Sequence, residues 1–291
     1  MMWTVMAVVA TLLIGHAMPQ VNQWRNFAWF ERWLEFLQQQ VFNKLSWQGA
    51  AGLLLSILLP ALLVAAMTYW ITGILAFVIA LLTLLYTWGP KDLDLDVNAI
   101  LSAKTLDEKE AAAKSLYEEG QTVSLEGPVV VAAVFENALT RWFAVLFWFL
   151  VFGPAGALAY RLLYLQVHHK HDLALPEALQ QAAQKALNIA HCIPAHIMVF
   201  AMALAANFDK VLNVWREWYQ NGGLRFDYSF LSQAATVSVA SELADEVADV
   251  EDGPANAPAL LELRDAISLA WRMMLLWLGI LAVFVLAGLV N

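Results

Sequence analysis

No acidic or basic side chain occurs between Leu45 and Pro90, a run of 46 residues. One helical crossing of a bilayer takes about 20 apolar residues, so the run holds two, with the reversal around Thr68 to Gly73. Charge is scarce elsewhere too: 14% of the chain is charged and 61% hydrophobic, which excludes an ordinary soluble domain. The single cysteine, Cys192, excludes an intrachain disulfide framework. No Lys/Arg cluster exists and the net charge is −9. Nucleic acid is thereby excluded as a partner, because phosphate neutralisation needs concentrated cations. Also missing are a GxxxxGKS/T phosphate loop, a GxGxxG fingerprint, an HExxH helix, a CxxC pair and a GxSxG elbow, so no motif names an enzyme class. The lack of an internal repeat speaks against a transporter of a small anionic or muropeptide-like solute.

What is present is a series of apolar runs. They predict an all-α integral membrane protein, a helical bundle with four to six membrane-embedded segments plus cytoplasmic helices, treated as one domain over 1–291. The expected membrane helices are 1–18, 48–68, 71–88, 142–165 and 272–290. Residues 190–206, with His191, Pro194 and His196, form either a re-entrant segment or a short span. The first run has no Lys or Arg before it, which favours a retained helix over a cleaved signal. Gly153-Pro154-Ala155-Gly156 interrupts the fourth run, leaving arms of about 14 Å at the helical rise. A kinked span and a re-entrant hairpin are both compatible with that break. The loops 19–46, 89–141 and 207–272 hold 13 of the 16 Lys and Arg, so the positive-inside rule assigns them to the cytoplasm.

Two segments, 91–136 and 207–265, are hydrophilic and predicted helical. Asp92 to Ser102 carries Leu93, Val97 and Ile100 at helical spacing. Thr105-Leu106-Asp107-Glu108 has the form of a capping box opening a helix that runs to about Glu119, with Gly120 placed to end it. In the second segment an aromatic helix around Val211 to Tyr219 should break at Asn221-Gly222-Gly223. The acidic run Glu242, Asp245, Glu246, Asp249, Glu251 and Asp252 reads as a solvated face or linker rather than a cation site.

Candidate sites are few. Glu136, Asn137, Thr140 and Arg141 stand together just before an apolar run, where polar groups are costly unless paired and so are candidates for ligand binding. A boundary helix with a snorkelling Arg141 is the structural alternative. Weaker metal candidates are Asp92 and Asp96, four apart on one helix face, and His168 with His171, which with His169 and Asp172 offer imidazole and carboxylate donors.

Phe143 to Trp148, Gly153 to Arg161 and Ile193-Pro194-Ala195-His196 resemble the membrane cobinamide-phosphate synthases (CobD/CbiB) of cobalamin assembly and their relatives, the AmpE proteins of β-lactamase regulation. The similarity covers roughly residues 90–210. The synthases use ATP to join an aminopropanol phosphate to a corrinoid carboxylate, so the resemblance implies ATP and Mg²⁺ as cofactors. Their ENTxDG is matched here at Glu136 and Asn137, but Thr140 and Arg141 replace its aspartate and glycine. Their NTxDS falls on Tyr164 to His168, and their DDxxNxIPAR on Leu187 to His196, with the carboxylates and the arginine gone. Magnesium-nucleotide chemistry needs anionic ligands for the metal and cations for phosphate charge, so the departures favour the AmpE type. That type implies a sensor or modulator of β-lactamase induction in the bacterial inner membrane, linked to peptidoglycan recycling. The implied partners are a cytosolic amidase and a nucleotide or cell-wall fragment, besides the lipid bilayer. A divergent ATP-dependent amide synthase is the alternative. For a ligand, a polar pocket between the membrane bundle and the cytoplasmic helices is expected, with Glu136, Asn137 and Arg141 near its mouth.

Overall fold

The computed structural model describes residues 2–17, 25–42, 47, 49–89, 92–117, 120–168, 175–222, 227–249 and 258–287. Every element among the described residues is a helix, with no strand. Their elements are α1 (Met2–Ala17), α2 (Ala28–Leu37), α3 (Ala50–Trp70), α4 (Ile74–Thr87), α5 (Leu93–Ser102), α6 (Leu106–Ala113), α7 (Gly127–Ala138), α8 (Ala144–His168), α9 (Glu177–Ala205), α10 (Phe208–Gly222), α11 (Ser229–Asp249) and α12 (Pro258–Leu286). Four helical runs are long and apolar enough to cross a membrane: Ala50–Trp70, Gly127–His168, Glu177–Ala205 and Leu261–Val283, with Ile74–Thr87 a shorter apolar helix. The chain is a multi-pass membrane protein. The structure groups into two compact units, each assembled from separate stretches of sequence.

The first unit is formed by the described residues of 1–90 and 144–190. α3 and α4 both pack on α8, and α1 packs on α4. The chain reverses between α3 and α4 at Gly73, whose φ of 73° suits a residue without Cβ. Several polar groups inside this unit find partners within it. Ser56, fully buried, donates to Gln166 Oε1 at 2.9 Å. Arg161, 1% exposed, donates Nε–H to Thr87 O at 2.7 Å and lies over the Tyr164 ring. Arg25 donates to Leu85 O and Gly89 O. The last carbonyls of α4, orphaned by the end of the helix, are thus taken by two guanidiniums at the negative end of its dipole. α2 was not anticipated: Phe30, Leu34 and Leu37 are buried at helical spacing, and Trp33 Nε1–H reaches Ser56 O.

α8 carries the predicted break as a kink. Gly153 adopts φ 65° and ψ −155°, a region open essentially to glycine alone. At Gly156 an added Cβ would lie 2.2 Å from Trp148 O, so the chain packs tightly against the arm of α8 that precedes the kink.

The second unit comprises residues 91–143 and 191–289. α7 is its packing partner in common, with α11 and α12 against it. At Gly127 the Glu262 carboxylate of α12 occupies the space a Cβ would take. Trp142 meets Trp271 and Phe143 meets Trp277, with ring centroids 5.2 and 5.0 Å apart. The apolar structure therefore begins at Gly127, well before Trp142, and the hydrophilic stretch 91–136 is shorter than its sequence suggests. α5 buries Leu93, Val97 and Ile100. The capping box of Thr105 and Glu108 is formed, but α6 ends at Ala113 in a tight turn over Lys114–Leu116, short of the expected Glu119. Leu116 is buried there and Tyr117 Oη–H donates to Ser124 O at 2.6 Å, which pulls the chain round before another helical turn can form. α10 runs through Asn221 to Gly222. The acidic residues Glu251 and Asp252 fall outside the described residues.

The kink yields a prediction with an internal control. Gly153→Ala should lower stability by about 1–3 kcal/mol, although the site has space for the methyl group. Gly279→Ala, at an equally open position without positive φ, should be neutral or slightly stabilising. Thermal unfolding of the two variants in detergent checks the contrast.

Candidate functional site

The residues flagged in sequence occupy the second unit where α7 passes into a wide π-helical turn, Leu139–Phe143. Such a turn inserts a residue into the helix and re-aims the side chains beyond it. Arg141, mostly buried, directs Nη1 to Asp96 Oδ2 at 2.6 Å and Nη2 to Ser115 O at 2.8 Å. Asn137, one turn earlier, donates to Leu116 O and to Ala133 O, both at 2.8 Å. Two side chains of one helix thus hold the successive carbonyls of Ser115 and Leu116, fixing the tight turn after α6. Glu136 Oε1 accepts from Ser232 Oγ at 2.9 Å on α11. Thr140 donates back to Asn137 O, a bond within its own helix.

Around this core, Asp92 caps α5 by accepting from the amide of Asp94 at 3.0 Å, and Asp94 Oδ1 accepts from Trp271 Nε1–H at 2.7 Å on α12. Burial pushes the Tyr117 hydroxyl above its ordinary value of 10.0, and the Glu136 carboxylate adds to the rise. Tyr117 consequently stays a donor throughout the physiological range. The proton and the bond are lost together only as pH climbs through that raised value.

The four ligand-binding candidates are therefore neighbours, joined by residues the sequence reading did not connect to them. Asp96 and Arg141 are 45 positions apart, Glu136 and Ser232 are 96 apart, and no local spacing marks either pair. The metal candidates are not gathered. Asp92 is engaged with its own helix N-terminus, and Asp96 faces a guanidinium where a cation would sit. His168 lies in the first unit at the end of α8, its ring stacked on Tyr164 at 4.2 Å and Nδ1 3.0 Å from Tyr164 O. His171, His169 and Asp172 fall outside the described residues. Among the described residues no three His, Cys, Asp or Glu are grouped to hold a metal ion.

With this geometry in hand, comparison with known proteins gives one result. The protein family described as CobD/Cbib protein matches residues 4–224, well over half of the chain. The chain belongs to the CobD/Cbib family. Neither a curated protein nor a solved structure matches it. Membership brings the family's amide-synthase background and its setting in the bacterial inner membrane; the finer kinship with AmpE proteins is not part of the match. Among the described residues the donor set groups no three carboxylates or imidazoles that would hold the magnesium of a nucleotide, and its buried arginine is paired with Asp96.

The pairing of Arg141 is open to measurement. Breaking a buried ion pair by removing one partner costs about 3–5 kcal/mol, so Arg141→Gln and Asp96→Asn should each destabilise strongly. The double variant should cost clearly less than the sum of the two. A double-mutant cycle in chemical denaturation reads the coupling.

Proposed function

We propose that this chain is a membrane-bound regulatory or binding member of the CobD/Cbib family, a sensor or modulator of β-lactamase induction of the AmpE type, rather than an enzyme. One observation carries the reading: Arg141, the buried cation at the family-like Glu136-Asn137 motif, spends its guanidinium on Asp96 and on the Ser115 carbonyl. A cation held so is a structural staple, poorly placed to follow charge developing on a phosphate. The ligand positions carried over from the resemblance point the same way. In place of the synthases' carboxylates and arginine stand Tyr164 to His168 and Leu187 to His196. A cell-wall fragment or nucleotide, and a cytosolic amidase of peptidoglycan recycling, are the partners this role implies, with the hydrophilic residues ahead of Gly127 and those between α10 and α12 facing the cytoplasm.

The second reading is a divergent ATP-dependent amide synthase acting on a phosphorylated amino alcohol and a large carboxylate. The family match itself favours it, and favours it more directly than it does the regulatory role. It requires catalytic ligands at positions other than those of the family motifs.

Two strains separate the readings. Deleting the gene in a host with an inducible β-lactamase should alter induction by a cell-wall antibiotic. Expressing it in a cobalamin auxotroph that lacks its synthase should fail to restore growth. Unchanged induction together with restored growth would replace the first reading by the second.

A further inference from the structure

We propose that α10, hydrophilic by composition, is a membrane-surface helix whose Phe208–Tyr219 edge is immersed in lipid, forming with the end of α9 one continuous lipid-facing band. On the second half of α9, Ile193, Ile197, Phe200 and Leu204 are exposed at 48, 37, 46 and 64%, and their spacing of three and four residues makes a single stripe. The stripe does not stop with its helix. Only Ala206 and Asn207 separate α9 from α10, and Phe208 and Tyr219 are 52 and 49% exposed. They share an edge with Trp215, because seven and eleven residues are close to two and three whole helical turns. Trp215 joins the two helices: its ring lies 5.6 Å from that of Phe200 and 6.1 Å from that of Tyr219.

α10 is pinned by its inner face, where Val211 is fully buried and Trp218 packs on Phe230 at 4.7 Å. Its charged and amide groups, Asp209, Lys210, Asn213, Arg216, Glu217 and Gln220, lie on the opposite side and are exposed. An apolar edge rich in aromatic rings, backed by a charged face, is the pattern of a helix lying at the headgroup level. Tryptophan and tyrosine are the residues enriched there. The occupant follows from continuity: α9 is long and apolar enough to cross the bilayer, so the solvent along its stripe is lipid, and the band on α10 extends it without interruption. This inference rests on the membrane architecture and is independent of the regulatory reading.

Site-directed spin labelling tests it. In a Cys192→Ser background, Leu204→Cys, Tyr219→Cys and Glu217→Cys are labelled singly, each at an exposed position. The intact protein is reconstituted into vesicles of phosphatidylethanolamine and phosphatidylglycerol. Folding of each variant is checked beforehand by circular dichroism and monodispersity in detergent. Labels at Leu204 and Tyr219 should show oxygen-to-nickel-chelate accessibility ratios several-fold above that at Glu217. A Tyr219 label as open to the chelate as the Glu217 label would overturn the proposal, leaving α10 in water. Dipolar broadening at Tyr219 with exclusion of both reagents would overturn it in favour of a second copy of the chain.

Discussion

A guanidinium kept from water must find its hydrogen-bond acceptors inside the protein, and in this chain that demand organises both units. Arg161 is almost wholly buried in the first unit and is directed at Thr87 O, the carbonyl that α4 leaves unpaired at its end. Arg141, in the second, takes a carboxylate and the Ser115 carbonyl. In each case a helix or turn terminus, itself short of partners, supplies what the cation lacks. Each arrangement ties together segments far apart in sequence. Removing the cation would strand acceptors as well as a charge, which is why breaking such a pair costs more than the pair contributes.

The parts of the fold visible in the sequence are those governed by short-range physics. The scarcity of charge reports the membrane. Thr105 and Glu108 report a helix start because their side chains satisfy amides three residues away. Gly153 with Pro154 reports a kink because few other residues tolerate that backbone. The signal fails where long-range contacts decide. α6 stops early because Leu116 is buried and Tyr117 is tied to Ser124, and neither constraint appears in helical propensity. α2 was missed because its charged residues masked a buried stripe of Phe30, Leu34 and Leu37.

For the site the division is sharper. The sequence brings Glu136, Asn137, Thr140 and Arg141 together because they lie within two helical turns, and polar side chains ahead of an apolar run attract notice on grounds of cost alone. What they do is set by Asp96, Ser115, Leu116 and Ser232, contributed by other elements. Asp96 looked like half of a metal pair with Asp92. The structure gives Asp92 to the α5 amides and Asp96 to a guanidinium, so two carboxylates that share a helix face do different work.

Family membership and site chemistry consequently pull in different directions, and the physical content of each is distinct. A match over residues 4–224 speaks for an inherited scaffold, because packing residues are spread along the whole chain. Catalysis depends on a handful of groups at fixed places, and fold alone does not transmit it. Phosphoryl chemistry asks for cations free to follow charge as it moves and for grouped anionic oxygens to hold the metal. Here the buried cation of the motif region is fixed at 2.6 Å from a carboxylate. Its partner Asp96 gives one carboxylate oxygen, Oδ2, to the same contact. The Arg141–Asp96 pair thus ties one cation of the motif region to one carboxylate, a contact that serves packing whatever chemistry the shared scaffold carries.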